Sequence, residues 1–480
     1  MTIVCSAGTA LAALFVLAQL RFLILMLLPR YNPELPPPLP TAPLVAIQIA
    51  TYRESAALPL VLKAISELDW PRQSMLVQIL DDSPAIEAAL TKAVVAQYAN
   101  EGLPVSYHNR DSRLGFKAGA LNLGLTIAAP AEFIAYFDAD CRPTREFLRC
   151  ATAMLSKSDV AAVQARWRYP NADTSPLTAL QAAAFEYLFR YEYEARGIAG
   201  LPVYYLGSSA LWRREALVTL GGWRFQPFTA EDVDMSNRAA AAGWQVLYHP
   251  QVLGEDDALE DVLAFRAQQR RWAQSVLRAG VDAAPGLARL RRGPLTRLLE
   301  WSSFAPHATI IVVLLLTVCL SGWTLAGYPP KPVLFWTFSV LMIVSPATLA
   351  LAAAQAAYHG SGAARRIALL LLAGPFAAAT MTSFVFGVSD FLVKNRLEFV
   401  ATPKAGQVGV IGGRHSAWLH AQIAPLALDV CLAVLFTTSF FVAVFSQIWS
   451  AIWPLALMAG AFASSGLICG FALIKRVIAK

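Results

Sequence analysis

Apolar residues crowd the two ends of this chain and thin out in its middle, and that unevenness limits what it can fold into. Residues 10–28 are almost unbroken Leu, Ala, Phe and Ile, interrupted by Gln19 and Arg21. Beyond Pro306 long apolar stretches recur to the C-terminus, whereas residues 40–277 carry most of the acidic side chains. A helix crosses a bilayer core with about 20 apolar residues. The ends therefore predict membrane helices, and the middle predicts a sizeable domain in water. Composition agrees: 56% of residues are hydrophobic and 15% charged, against about a quarter charged in an ordinary soluble chain.

The first apolar run is as long as a bilayer core requires, and no small-x-small cleavage site follows it. It reads as a retained membrane helix over residues 1–30 rather than a cleaved signal. "RYNPELPPPLP" comes next and predicts a semi-rigid linker over residues 31–42. The net charge of +7 raises nucleic acid as a partner. Its basic residues, however, cluster beside apolar segments, as in "RLRRGPLTR", "VKNR" and "IKRVIAK", where positive charge holds loops in the cytoplasm. The expected partner is thus the lipid bilayer, not nucleic acid. Six scattered cysteines without a Cys-x-x-Cys pair support neither a disulfide framework nor a zinc site.

Within the middle segment, "LVAIQIATYRE", "MLVQILDDS" and "EFIAYFDADC" are apolar, β-rich runs that end in polar residues, with helical stretches between them. That alternation predicts an α/β domain with a mostly parallel sheet, whose ligands bind at the carboxyl ends of the strands. Those ends carry Tyr52 and Glu54, Asp81 and Asp82, and Asp138 and Asp140. One Asp-x-Asp alone is as well explained by turn formation. Two acidic strand ends in succession repel one another, and a divalent cation bridging a diphosphate, Mg²⁺ or Mn²⁺, would relieve that repulsion. Between them, "RDSRLGFKAGALN" sets Arg113 and Lys117 around Gly115 and Gly119, which suits close approach to a phosphate without matching a P-loop. His249 reads as a turn histidine before proline in preference to a metal ligand, and the acidic run at residues 254–261 as a solvated helix start. "QQRRW", from Gln268, reads by itself equally as an interfacial anchor or as part of a site.

Taken in order, "TYRE", "LDDS", "GFKAGALN", "FDAD", "YLGSSALWRREAL", "TAEDVDMSNRAAAAGW" and "QQRRW" resemble the processive family 2 glycosyltransferases. Cellulose, hyaluronan and chitin synthases and the cellulose-synthase-like mannan synthases form that group, and the mannan-synthase-like branch is most similar. The resemblance covers residues 43–272. It implies an α/β GT-A domain over residues 43–277 inserted between transmembrane α-helices of a polytopic membrane protein. Tyr52 and Glu54 would hold the nucleotide base, with Asp81 and Asp82 near the base and ribose. Lys117 and Arg271 would face the diphosphate. Asp138 and Asp140 would serve the donor and the metal, with Asp140 the nearer ligand. Asp232 of the Glu231-Asp232 pair would be the general base. Gly207, Ser208, Gln268 and Trp272 would meet the acceptor, which turns "QQRRW" from an anchor into a catalytic floor. Two departures stand out: "IAT" precedes Tyr52, and "TAED" has one residue inserted relative to Thr-Glu-Asp.

The implied reaction is an inverting, processive transfer of hexose from a nucleotide sugar, UDP-glucose first and GDP-mannose second, to a growing β-linked glycan that is passed across the membrane. A lipid acceptor such as ceramide is the alternative. A transporter or scaffold with a degenerate transferase domain is a third reading, opposed by the intact acids, Lys117 and Trp272. Amphipathic interfacial helices are expected over residues 278–305 and a channel domain over 306–480. Spans are expected at residues 307–326, 333–354, 424–446 and 451–474. The stretch at 367–386, broken by Gly374-Pro375, is expected to be interfacial or re-entrant. Five spans in all would set the N-terminus outside and the C-terminus with the catalytic domain in the cytoplasm of a cell, or inner, membrane. "FVATPK" resembles the gating loop of such synthases, which implies that Phe399, Thr402 and Lys404 of a loop at 396–415 close over the donor. Accessory export subunits and a homo-oligomer are compatible with this scheme.

Overall fold

The computed structural model describes residues 33–198, 201, 203–225, 230–289, 305–327, 362–393 and 415–478. The expected N-terminal helix, the span at 333–354, the interfacial segment from residue 290 to 304, and Phe399, Thr402 and Lys404 lie outside the described residues.

β1 (Val45–Thr51), β2 (Met75–Asp81), β3 (Val105–Asn109) and β4 (Phe133–Asp138) form the parallel half of an eight-stranded sheet ordered β3-β2-β1-β4-β7-β6-β8-β5. β5 (Arg142–Pro143), β6 (Val160–Arg168), β7 (Ala210–Arg213) and β8 (Gln245–Glu255) complete it. β7 runs antiparallel between β4 and β6, and β8 lies parallel to β6. The continuous Val, Ile and Ala content of β1 and β2 follows from burial on both faces. The strand order reverses beside β1, so β1 and β4 open a crevice at their carboxyl ends.

Two layers of helices cover the sheet. α1 (Leu58–Ser66), α2 (Ala85–Asn100) and, further along the chain, α4 (Phe147–Met154) pack one face through Leu58, Val61, Ile65, Val95, Phe147 and Leu148. On the other lies α3 (Phe116–Ile127), with Trp212 and Trp223 fully buried against it. A Cβ at Gly124 of α3 would sit 2.6 Å from Gln48 Nε2. Gln48 in turn donates to Gln78 Oε1 across β1 and β2 at 2.9 Å, so α3 rests on a buried polar pair in the sheet. α5 (Pro176–Tyr187) is capped by Ser175 and runs through a π turn (Leu188–Tyr193) into α6 (Glu194–Ile198). α7 (Arg214–Thr219) and α8 (Glu231–Ala241) follow β7.

α9 (Val262–Arg289) leads from this domain to the apolar helices α10 (Ala305–Leu325), α11 (Ala363–Leu371), α12 (Gly374–Val393), α13 (His415–Phe445) and α14 (Trp449–Ile478). α12 to α14 are long and apolar enough to cross a membrane by length and composition. The break expected near Gly374 is present, between α11 and α12. What differs is the distribution of polarity. The amphipathic part is α11, whereas α12 is a continuous apolar helix of 20 residues. Both ends of α12 nonetheless meet the catalytic domain's own elements: Phe376 packs with Leu177 and Leu263, and Asp390 accepts from Arg270 Nε at 2.6 Å. α13 and α14 pack together as a hairpin tied to the elements around α9: Arg266 reaches Asp429 in the middle of α13, and Arg476 near the end of α14 reaches Asp261 at 2.9 Å.

α9 and α12 approach closely because Gly387 has no side chain. A Cβ there would lie 2.6 Å from the carbonyl oxygen of Arg270 and 2.7 Å from Ala273 Cβ. Gly387→Leu is therefore expected to force the helices apart at a cost of about 1–3 kcal/mol. Thermal unfolding in detergent should show a lower Tm than for the parent; an equal value would deny the close approach.

Candidate active site

A cavity of about 1100 Å³ opens at the carboxyl ends of β1 and β4 and continues between the apolar helices. Tyr52, Glu54, Asp82, Lys117, Asp138, Asp140, Gly207, Glu231, Asp232, Gln268, Arg271 and Trp272 line its polar part. Val313, Ala378, Met381, Leu457, Met458 and Ala461 line the rest. The expected site residues are thus gathered from β1, β2, α3, β4, the loop before β7, α8 and α9, with two exceptions.

Asp81 does not line the cavity. Its side chain alternates to the opposite face of β2 from that of Asp82, is fully buried, and accepts from Tyr107 Oη at 3.0 Å and the Ser83 amide at 2.9 Å. The expectation that Asp81 meets the nucleotide is corrected to a role in shaping the β2 end. Ser208 is likewise turned inward, 2% exposed, and its hydroxyl accepts from the Asp138 amide at 2.9 Å. It holds Asp138 in place and does not face an acceptor.

Lys117 sits at the centre of the remaining set. Gly115, at φ +79°, caps α3 in the left-handed region, which a side chain resists. That turn delivers Lys117 to the cavity, where Nζ donates to Asp138 Oδ1 at 2.5 Å and to the Gly207 carbonyl oxygen at 2.7 Å. Gly207, at φ +87°, has to be glycine twice over, since a Cβ would lie 3.0 Å from Asp232 Oδ2. Burial lowers the Lys117 pKa, but Asp138, Glu231 and Asp232 outweigh it and the net shift is upward. Lys117 stays charged.

Asp232, in the first turn of α8, behaves differently. Loss of surrounding water, and then the neighbouring Glu231, raise its pKa to about 7, against the opposing pull of the Val233 amide and Lys117. A carboxylate poised near neutrality accepts a proton more readily than an ordinary one. Burial lowers the Arg271 pKa against the attraction of Glu231 and Asp138, and a guanidinium remains cationic throughout. Trp272 meets Phe185 edge-on with centroids 6.0 Å apart.

Several participants escaped sequence reasoning. Arg110 binds both oxygens of Asp82, at 2.6 and 2.5 Å, and the carbonyls of Leu114 and Phe116 at 2.9 Å. It fastens the end of β2 to the loop that carries Lys117, although its only sequence signal was a place at the head of "RDSRLGFKAGALN". Arg113, expected from the sequence near a phosphate, lines the same cavity and lies 3.4 Å over the Tyr52 ring. Asp256 and Asp257 also line the cavity, which corrects the reading of their acidic run as a solvated helix start. Their position depends on β8 pairing with β5 and on Arg142 holding Asp257 at 2.9 Å. His249 is buried in β8, its ring nitrogens engaged by the Pro33 carbonyl and the Gln251 amide, far from metal duty.

Asp138 and Asp140 offer hard oxygen donors, which suit Mg²⁺ or Mn²⁺. Among the described residues no three His, Cys, Asp or Glu side chains converge to hold a metal ion. The residues fit a cation that shares its coordination with a bound diphosphate rather than one caged by protein.

Asp232 binds its proton more tightly when folded than at the ordinary 3.8. Its contribution to stability is therefore complete below about pH 4 and is lost as pH rises through about 7. Asp232→Asn should remove that loss, so the variant's Tm relative to the parent should rise steadily from about pH 4 to above neutrality. A constant difference across that range would contradict the raised pKa.

Residues 133–355 match the family described as Glycosyl transferase family group 2. Glucomannan 4-beta-mannosyltransferase 1 of Oryza sativa subsp. japonica is 36% identical over 236 residues, 48% of this chain and 45% of that protein. Glucomannan 4-beta-mannosyltransferase 2 of Arabidopsis thaliana is 34% identical over 236 residues, 48% and 44% of the two chains. The match thus spans just under half the length of these relatives. The fold is shared with the mannosyltransferase PcManGT of Pyrobaculum calidifontis, solved with GDP-Man and Mn²⁺, at a TM-score of 0.52 and 23% identity over 82% of this chain and 99% of that one. With the cavity, its acids and its lysine in place, these likenesses identify the domain: the chain carries a family 2 glycosyltransferase domain, of the group that includes the cellulose-synthase-like mannan synthases.

Proposed function

We propose that the chain transfers mannose from GDP-mannose to the end of a growing β-mannan and leads the product along the cavity between its membrane helices. Glucose from UDP-glucose, favoured by the sequence, gives way to mannose because the relatives are named as mannosyltransferases. The observation that carries the reading is the single cavity that joins a base of raised pKa and a diphosphate-suited cation cluster to an aromatic floor and an apolar, membrane-helix lining.

Asp232 takes the proton of the acceptor hydroxyl as that oxygen attacks the anomeric carbon. Lys117 and Arg271 hold the charge that builds on the departing diphosphate. Tyr52, Arg113 and Glu54 flank the base end. A divalent cation held by Asp140 and Asp138 supplies further neutralisation of that charge when bound. Trp272 and Phe185 offer ring faces to the acceptor sugar, and Gln268 an amide to one of its hydroxyls. Attack opposite the leaving group inverts the anomeric centre, so an α-linked donor yields a β-linked product.

The same geometry supports a catalytic domain and a gating-like loop on one side of the membrane. The described helices on either side of residues 394–414 are α12, whose end carries Asp390 bonded to Arg270, and α13, whose midpoint Asp429 is bonded to Arg266. Both contacts are made with α9, the helix that borders the cavity.

Supplied with a panel of nucleotide sugars and a short β-mannan primer, the purified chain should release GDP from GDP-mannose and lengthen the primer. Release of UDP instead, or transfer to ceramide without polymer, would replace this reading by the glucosyl or the lipid-acceptor one. Excess EDTA should stop turnover and Mn²⁺ or Mg²⁺ restore it. Asp232→Asn should lower kcat about 100- to 10,000-fold while GDP binding persists. The parent rate should fall as pH drops below about 7, because the proton then occupies the base. A flat profile there would remove Asp232 from that role.

A further inference from the structure

α9 has a second face. Gln268, Arg271, Trp272 and Ser275 line the cavity, whereas Arg266, Arg270 and Ala273, at spacings of four and three, look the other way, toward the membrane helices. Arg266 is 2% exposed and Asp429, in α13, wholly buried. Arg266 Nη1 donates to Asp429 Oδ2 at 2.5 Å and to Cys469 Sγ of α14 at 3.3 Å, while Nη2 donates to Thr382 Oγ1 of α12 at 2.9 Å. Ser465 Oγ of α14 adds a bond to Asp429 Oδ2 at 3.0 Å. One arginine on the catalytic helix thus engages three helices of the membrane region. Arg270 adds a second, more exposed pair with Asp390 of α12.

This arrangement is a poor way to gain stability. Among the described residues Arg266 Nε and Asp429 Oδ1 make no hydrogen bond although both are buried. Apolar side chains of equal volume commonly hold helices together as well as a buried pair, or better. A buried ionisable group in a membrane helix points to function. Apolar packing tolerates sliding by a fraction of a turn. A buried charge pair does not, because displacement strands both charges in a medium that cannot solvate them. Such pairs are best attested as devices that set register.

We infer that Arg266 and Asp429 are positioning residues that set the axial register of α9 against the membrane helices, and so fix Trp272 and Arg271 at the height where the acceptor end meets the donor. The inference rests on the transferase reading above. Arg266 lies six residues before Trp272, ~9 Å along the helix. A slip of one residue would move Trp272 by ~1.5 Å and turn it by ~100°, and a misplacement of about 1 Å can cost about 100-fold in rate. Donor groups on β1, β2, α3 and β4 stand outside α9 and do not move with it; among the diphosphate-facing groups only Arg271 does, and its displacement is felt chiefly on the charge that builds during transfer. The pair is therefore predicted to govern the acceptor side selectively.

The double variant Arg266→Met/Asp429→Leu removes both charges together and leaves none stranded. Studied as the full chain in detergent, it should unfold within a few degrees of the parent and bind GDP with a Kd changed less than about threefold. Its kcat should fall about 100-fold with the donor KM unchanged, and its products should be shorter. Mannohexaose binding, read by calorimetry without turnover, should weaken at least tenfold. Arg266→Lys, which keeps the charge, should recover most of that affinity. Parental mannohexaose affinity in the double variant would overturn the inference, and so would parallel loss of GDP and mannohexaose binding, which marks a merely structural pair. Calorimetry decides this even if the parent turns over no mannosyl donor, an outcome that would count against the transfer reading alone.

Discussion

Negative charge crowded at one end of a sheet is the constraint on which this structure turns. Asp138, Asp140, Glu231, Asp232 and Asp256 all border one cavity, and without cations among them their mutual repulsion would open it. Lys117 answers by bonding Asp138 and the Gly207 carbonyl at once, so that β4, α3 and the loop before β7 converge on one ammonium group. Arg271 faces the same acids from α9. Electrostatic balance leaves the members unequal. Lys117 keeps its proton while Asp232, short of water and beside Glu231, holds its own to about pH 7. Two chemical roles follow from a difference of surroundings.

The second constraint is mechanical. The helix that closes the cavity floor is also the helix that the membrane region grips, through Arg266, Arg270 and the close contact at Gly387. The cavity groups at the ends of β1, β2 and β4 are held by the backbone hydrogen bonds of the sheet. Those on α9 are held by side chains belonging to a different part of the molecule. On the reading proposed above, this one element couples acceptor placement to the membrane helices and sets donor and acceptor recognition on separate supports.

Much of this was legible in the chain itself. Apolar β-rich runs ending in acids announced β1, β2 and β4, and a parallel sheet announced where their ligands would meet. Twelve of the expected site residues did come together at the cavity, because strand ends converge whatever loops join them. Errors arose where orientation mattered. Asp81 and Asp82 are neighbours in sequence, yet the pleat sends one into the core and the other to the cavity. Ser208 follows Gly207, whose left-handed backbone turns the hydroxyl inward to Asp138.

Composition and periodicity predicted a polar α/β domain flanked by apolar segments, since those properties reside in local strings of residues. They also determined which acids and cations stand at strand ends. Which of these groups touch was decided only by the tertiary fold. The pairing of β8 with β5 brought Asp256 and Asp257 to the cavity from over 110 residues beyond Asp140. The clamp of Arg110 on Asp82, the raised pKa of Asp232 and the reach of Arg266 to Asp429, 163 positions away, are likewise non-local. Each depends on burial and on distances across the fold, and neither is written in any short stretch of sequence.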